Sequence, residues 1–308
     1  MAKRKKKYSG AKKKVESVVA TGVLIIIGLI VYFFGPDMFN DDSQRTGKVV
    51  LDGTMQVHFI DVGQGDSALI VTPDGKNILV DAGTNSSEKD LKFYLDSQDI
   101  KEIEYAVMTH PHEDHIGGAD MVMNTYDVKN VIMPDVTHDS VTFERMLEAI
   151  DRNNVNLITS KLGDVYTVGD VSFKILAPVN AKYSSLNDYS VVIRVEYGGT
   201  SFMFTGDAEK LSEKEMLAKH NISEFACDVL KVGHHGSTTS TSREFLSAIN
   251  PTAAIISCGT GNTYGHPHRE TIDSLVDEGV EIYRVDQLGS IVFKADGAEI
   301  TYNNQKVA

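Results

Sequence analysis

Six consecutive residues, His110-Pro111-His112-Glu113-Asp114-His115, place four metal-ligand side chains at the end of an apolar stretch, EYAVMT (104–109), that reads as a strand. Alternate residues on an extended backbone share a face, so His110 and His112 point to one side. Asp114 and His115 follow where the chain turns toward Gly117-Gly118 and the next helix, and so face a second point. The pattern predicts two adjacent ions, one held by His110 and His112 and one by Asp114 and His115. Imidazole and carboxylate donors suit zinc, with manganese or iron as alternatives. Two such ions roughly 3.5–4 Å apart generate hydroxide near neutral pH and clamp a phosphoryl group.

Further strand ends carry matching chemistry. TSFMFTG (200–206) runs into Asp207, a carboxylate placed to bridge two ions, and CDVLKVG (227–233) runs into His234-His235-Gly236-Ser237. A fourth apolar strand leads into the segment 259–268, which contains His266 and His268. Open α/β sheets build their sites in this way, at the carboxyl edge.

The elements that must position these groups follow from hydrophobic patterning. Strands are predicted at 55–61, 67–72, 77–82, 104–109, 130–134, 171–178, 190–197, 200–206, 227–233, 253–259, 281–286 and 290–295. Helices are predicted at 88–98, 117–125, 140–152, 208–219, 242–249 and 268–278. Several strands are apolar throughout, as expected when both faces are covered. Hairpin-like pairs at 55–72, 190–206 and 281–302 mix with parallel crossovers, which gives an α/β protein with mixed sheets and outer helices. Cys227 opens one strand and Cys258 closes the next parallel one, a separation beyond the ~7 Å Cα limit of a disulfide, so two buried free thiols are expected.

The N-terminal region reads differently. Eight Lys/Arg fall within residues 3–14, followed by the uncharged run VVATGVLIIIGLIVYFF (18–34). Seventeen helical residues rise about 25 Å, a short but adequate membrane span, and the run is longer than a signal-peptide core. The expected organisation is a basic cytoplasmic tail (1–14), a transmembrane anchor (15–35), a polar linker (36–53), a hydrolase domain (54–302) and a short tail (303–308). The positive-inside rule places the body outside the cytoplasm, at the cell membrane.

With these residues in view, HxHxDH followed by a glycine pair, an Asp after an apolar strand and a late His resemble the metallo-β-lactamase fold pattern. FIDVGQGDS (59–67), HPHEDH (110–115), FTGDAE (204–209), LKVGHHGS (230–237) and YGHPH (264–268) are similar, more narrowly, to the hydrolase domain of ComEC-type competence proteins. The likeness runs over 55–302. It implies an αββα sandwich with two divalent metal ions, Zn²⁺ or Mn²⁺, between the sheets. That family's multi-span channel has no counterpart in these 308 residues. By the resemblance His110 and His112 hold the first ion, Asp114 and His115 the second, and Asp207 bridges. One of His234 and His235 completes the second ion and the other contacts substrate, a choice that the sequence leaves open because neighbouring side chains on an extended backbone diverge. Asp114, His234 and His266 are the candidates for direct action, with His235 as the expected metal ligand of the pair and Asp66, Asp81, Asn187 and Ser237 as supporting or substrate-facing residues. Many members of the fold carry another first-ion histidine before the bridging Asp. Here only His138 lies between His115 and Asp207, and it is expected at the rim, with Asn187 facing the first ion or a phosphate oxygen. His58 and His220 are expected to be structural and His268 to help start a helix.

The resemblance implies a nuclease acting on single-strand DNA. The composition points elsewhere: the formal charge is −13, and without the eight N-terminal cations 22 basic residues face 43 acidic ones, a body near −21. Protein–DNA affinity comes largely from cations. The alternatives are a cell-surface phosphoesterase acting on a small head group such as phosphocholine, and a non-catalytic ligand-binding module.

Overall fold

The computed structural model describes residues 51–221, 224–303 and 305–307, all within a compact unit running from Thr46 to Ala308. The expected tail, the anchor and most of the linker lie outside the described residues. Among the described residues no helix is long and apolar enough to cross a membrane.

In chain order the elements are β1 (Met55–Phe59), β2 (Ala68–Val71), β3 (Asn77–Val80), α1 (Glu88–Ser97), β4 (Glu102–Val107), a single turn α2 (Glu113–Ile116), α3 (Ala119–Thr125), β5 (Asp127–Met133), α4 (Val141–Arg152), β6 (Asn156–Thr159), β7 (Val165–Val168), β8 (Val171–Ala177), β9 (Val192–Tyr197) and β10 (Thr200–Phe204). There follow α5 (Lys210–Lys219), β11 (Val229–Lys231), α6 (Arg243–Ile249), β12 (Ala253–Ile256), α7 (Arg269–Asp277), β13 (Glu281–Arg284), α8 (Val285–Leu288), β14 (Ile291–Ala295), β15 (Ile300–Tyr302) and β16 (Gln305–Lys306). They form a nine-stranded sheet, β16-β15-β14-β1-β2-β3-β4-β5-β6, and a seven-stranded one, β13-β12-β11-β10-β9-β8-β7.

The two-residue side-chain period of a strand sorts the apolar residues into three layers. Val57, Phe59, Phe173, Phe202, Phe204 and Phe293 fill the space between the sheets, where Phe59 stacks on Phe204 with centroids 5.7 Å apart. Leu79, Ala106 and Val131 face outward onto Leu91, Val122 and Met146 of α1, α3 and α4. Met203, Leu230 and Ala254 face Met216, Leu246 and Leu275 of α5, α6 and α7. This is the expected sandwich, helices on both outer sides of two packed sheets.

All six predicted helices are present. Four strands, β6, β7, β15 and β16, fall outside the twelve expected ones; β6 and β7 are short and mostly exposed. The segment 281–302 is not one hairpin. β13 pairs in parallel with β12, whereas β14 crosses to the other sheet and pairs antiparallel with β1; within the segment the hairpin is β14–β15. The turn α8 carries the chain between the sheets. β16 also extends the sheet beyond residue 302. Cys227 and Cys258 are both buried and free, as expected.

Candidate metal centre

Within the parallel parts of both sheets, β3–β6 and β10–β13, the carboxyl ends of β3, β4, β10, β11 and β12 are followed by Asp81, His110, Asp207, His234-His235 and Ser257. The turn 110–115 is held from behind. Ala82 N–H donates to the His115 carbonyl (2.6 Å) and Asp66 N–H to the Asp114 carbonyl (3.0 Å). At Gly65 a Cβ would lie 2.5 Å from that Asp114 oxygen, and at Gly117 one would lie 2.2 Å from the Asn85 nitrogen. Glycine is required at both because backbone meets backbone.

Asp207 is at the centre. Its Oδ1 lies 3.2 Å from His115 Nε2 and 3.7 Å from His235 Nε2. Its Oδ2 lies 3.8 Å from His110 Nε2 and 3.6 Å from His234 Nε2. Asp114 Oδ2 stands 3.3 Å from His235 Nε2, and Asp114, His115, Asp207 and His235 offer four donor atoms all within 4.8 Å of one another. His115 Nε2, Asp207 Oδ1 and His235 Nε2 are buried without a hydrogen-bond partner. Buried polar atoms are rarely left so, and three converging on one point fit a cation with nitrogen and oxygen ligands. His110 Nε2 lies 3.0 Å from His112 Nδ1, a second pair of imidazole donors beside the first group.

The opposite ring nitrogens settle the tautomers. His115 Nδ1 faces Asp81 Oδ2 at 2.8 Å, and His235 Nδ1 faces the Ser257 carbonyl at 3.0 Å. Each Nδ1 is thus a donor, which leaves the Nε2 lone pair for an ion, the usual orientation of a metal-binding imidazole. Asp81 is itself fixed by the Thr109 N–H (2.7 Å) and hydroxyl (2.8 Å), so it holds the His115 ring in place from behind.

Burial works against charge on these groups, yet the cluster overrides it. Against burial, Asp207, Asp81 and Asp114 hold His115 well above the usual imidazole range, and Asp207 and Asp66 push His235 up to about 10. Also against burial, His115 and His235 hold Asp207 well below the carboxylate range. The carboxylates thus favour positive charge at this point, which a divalent ion would supply. Asp66 is held at about 2, against burial, by Lys231 and then His235. Lys231 Nζ lies 2.5 Å from Asp66 Oδ2, and Asp66 Oδ1 lies 3.1 Å from His235 Nδ1.

The remaining expected residues distribute as follows. The His266 ring lies 5.6 Å from that of His234 and 6.3 Å from that of His235, so it borders the centre. Asn187 is buried, and its amide nitrogen lies 3.2 Å from Glu209 Oε1 and 3.5 Å from His234 Nδ1. Its nitrogen thus approaches the centre through His234. Ser237 Oγ accepts from the Thr239 hydroxyl at 3.1 Å and organises the turn after His235. His138 lies beside His112, ring centroids 6.0 Å apart, with Nδ1 toward Ser140 Oγ. His58 is buried against Tyr94, and His220 bridges Glu224 and the Leu176 carbonyl; both are structural. His268 is the N-cap residue of α7, and its Nδ1 accepts the Thr238 N–H. Lys231, Thr109 and Ser257 went unrecognised in the sequence. A lysine inside the apolar run VLKV was the available signal.

The metallo-beta-lactamase superfamily profile matches residues 60–260. The chain is 34% identical over 256 residues to ComE operon protein 3 of Bacillus subtilis, covering 78% of this chain and 33% of that protein. It is also 34% identical over 227 residues to Recombination protein 2 of Haemophilus influenzae, covering 72% and 26%. It therefore spans a third or less of the length of these relatives. Among solved structures, CmlA, a diiron beta-hydroxylase from Streptomyces venezuelae, superimposes with a TM-score of 0.55 at 13% identity, over 78% of this chain and 54% of that one, a likeness of fold alone. The chain belongs to the metallo-beta-lactamase superfamily and, within it, is similar to ComEC-type hydrolase domains.

Proposed function

We propose that this superfamily hydrolase is a metal-dependent phosphodiesterase acting on a nucleic-acid strand, with single-strand DNA as its first substrate class. The observation that carries this reading is Asp207, one carboxylate with imidazole nitrogens facing each of its oxygens. Zinc suits the donor set best, with manganese second. Divalent ions held there supply Lewis acidity toward a phosphoryl group and lower the pKa of a water.

The chain's own residues do the rest. His110, His112, Asp114, His115, Asp207 and His235 hold the ions. Asp81 fixes the ring of His115 and the Ser257 carbonyl that of His235, with Asp66 beside it. His266 borders the centre with Nδ1 buried and unpartnered. Burial first, then His235 and His234, lowers its pKa to about 4. A neutral ring of this kind donates one N–H to a phosphoryl oxygen or leaving group as charge develops.

A groove of about 810 Å³ supports a strand-like substrate. It is lined by Lys210, Lys214, Arg243 and the hydroxyls of Thr238 and Ser240. It opens beside Thr239, which contacts His234. Glu244 and Glu270 line it as well, and Arg243 is paired with Asp277 at 2.6 Å, so its attraction for a phosphate backbone rests on Lys210 and Lys214. The body's charge near −21 favours a second reading, a phosphoesterase for a small head group. Incubating the full chain with Zn²⁺ or Mn²⁺ and either a single-strand oligonucleotide or bis-p-nitrophenyl phosphate separates the two. Cleavage of both supports the first reading; cleavage of the small diester alone rejects it.

The membrane part of the reading rests on the residues before 51. We place the basic tail in the cytoplasm, the anchor at 15–35 in the membrane and the hydrolase body outside. Protease added to intact cells should remove the body, and full protection would refute this topology.

A further inference from the structure

His234 and His235 both take left-handed backbone conformations, with φ of 50° and 54°. For residues with a side chain this costs about 1–2 kcal/mol each, and such strain persists where the surroundings demand it. The consequence is local and geometric. On an extended chain the two side chains would diverge. Here the chain curls, and both rings meet the same carboxylate. His235 Nε2 faces Asp207 Oδ1 (3.7 Å), and His234 Nε2 faces Asp207 Oδ2 (3.6 Å).

Oδ2 is also the oxygen toward His110 Nε2, at 3.8 Å, and that nitrogen lies 3.0 Å from His112 Nδ1. Donors around a tetrahedral ion with bonds of ~2.0–2.2 Å stand about 3.3–3.6 Å apart; the three neighbour distances scatter about that spacing, and an ion here would draw His234 and His110 inward around Oδ2, whereas the donors of the second ion already lie within 4.8 Å of one another. The tautomer of His234 agrees. The Thr239 hydroxyl donates to Ser237 Oγ (3.1 Å), so its oxygen is free to accept from His234 Nδ1 (2.9 Å). That leaves the Nε2 lone pair directed at the Oδ2 side. The only histidine between His115 and Asp207 is His138, whose Nδ1 is turned to Ser140.

Resting on the two-ion reading of the site, we infer that His234 is the third imidazole of the first ion, binding through Nε2 beside His110, His112 and Asp207 Oδ2. The strained pair then serves both ions, one histidine each, and a residue from the seven-stranded sheet supplies what the segment 116–206 does not.

The test uses the purified full chain, stripped by chelation and titrated with Co²⁺, reading equivalents bound and the visible spectrum. Wild type takes up two equivalents. His234→Gly, which tolerates the left-handed backbone, keeps one. Its affinity for the other falls by at least the ~10–100-fold that loss of an outer partner costs. His234→Cys with Co²⁺ shows a thiolate-to-cobalt charge-transfer band that wild type lacks, a positive sign independent of affinity; circular dichroism confirms folding of both variants. Two equivalents at wild-type affinity in His234→Gly, with no such band in His234→Cys, would overturn the assignment and leave His234 to the substrate. No binding by wild type would instead overturn the metal centre itself.

Discussion

Lys231 reaches across the interior from the end of β11 and places its ammonium 2.5 Å from the carboxylate of Asp66, which precedes β2 in the opposite sheet. Both side chains are almost fully buried. The position follows from strand alternation: Val229 points between the sheets, Leu230 points outward and Lys231 points inward again, at the level where the apolar interlayer gives way to polar groups. The pair is therefore the floor of the metal centre, and Asp66 passes its negative charge on to His235 Nδ1.

Removing one partner of a buried pair leaves the other charge uncompensated, at a cost of about 3–5 kcal/mol. Lys231→Met should lower stability by that order in urea unfolding, because Asp66 is left buried beside His235 without its cation. Combining it with Asp66→Asn should recover part of the stability. Strict additivity of the two losses would show that the residues do not interact.

Asp81 tests the support of the neighbouring ligand. Its Oδ2 lies 2.8 Å from His115 Nδ1. Asp81→Asn should permit the wrong ring tautomer and reduce metal affinity by about 10–100-fold, read by competition with a chelator. Unchanged affinity would remove Asp81 from the positioning of His115.

Acid stability carries a separate signature. Burial, then Lys294, lowers His58 to about 3 from its ordinary 6.5, so the folded protein keeps this ring neutral while the unfolded chain protonates it. The stabilisation is complete above pH 6.5 and is lost as pH falls from there toward 3. At about 1.4 kcal/mol per unit, the loss at pH 5 is roughly 2 kcal/mol. Replacing His58 by Gln should flatten the stability profile between pH 6.5 and 4; a slope identical to wild type would assign that limb to other groups.

The two lysines of the groove make a substrate-dependent prediction. Lys210→Glu with Lys214→Glu should raise KM for a single-strand oligonucleotide several-fold at low salt, with a weaker salt dependence. The rate on bis-p-nitrophenyl phosphate should be unchanged, because that diester is too small to leave the centre. Equal effects on both substrates would mean that the groove does not hold the strand.

Much of the centre was legible because its chemistry is written in short contiguous runs. His110 to His115, Asp207 and the His234–His235 pair each end an apolar strand, and parallel packing brings such ends together. Two features were not legible. Local pattern gives no signal for a left-handed backbone at a histidine, so the convergence of His234 and His235 on Asp207 was read as divergence. The segment from Glu281 to Tyr302 has the polar turn of a hairpin, but its two strands find apolar partners in different sheets, β12 for one and β1 for the other. Lys231 was hidden in the opposite way, as a single charge in an apolar strand whose partner lies 165 residues earlier in the chain.

The account depends first on Asp207 joining two bound ions. The most direct measurement is the metal content of the purified full chain, wild type beside Asp207→Ala, after equilibration with a small excess of Zn²⁺ and removal of the free ion. Two equivalents in wild type and fewer than one in the variant are predicted. A wild-type chain that retains no transition metal, or an Asp207→Ala chain that retains both equivalents, would contradict it.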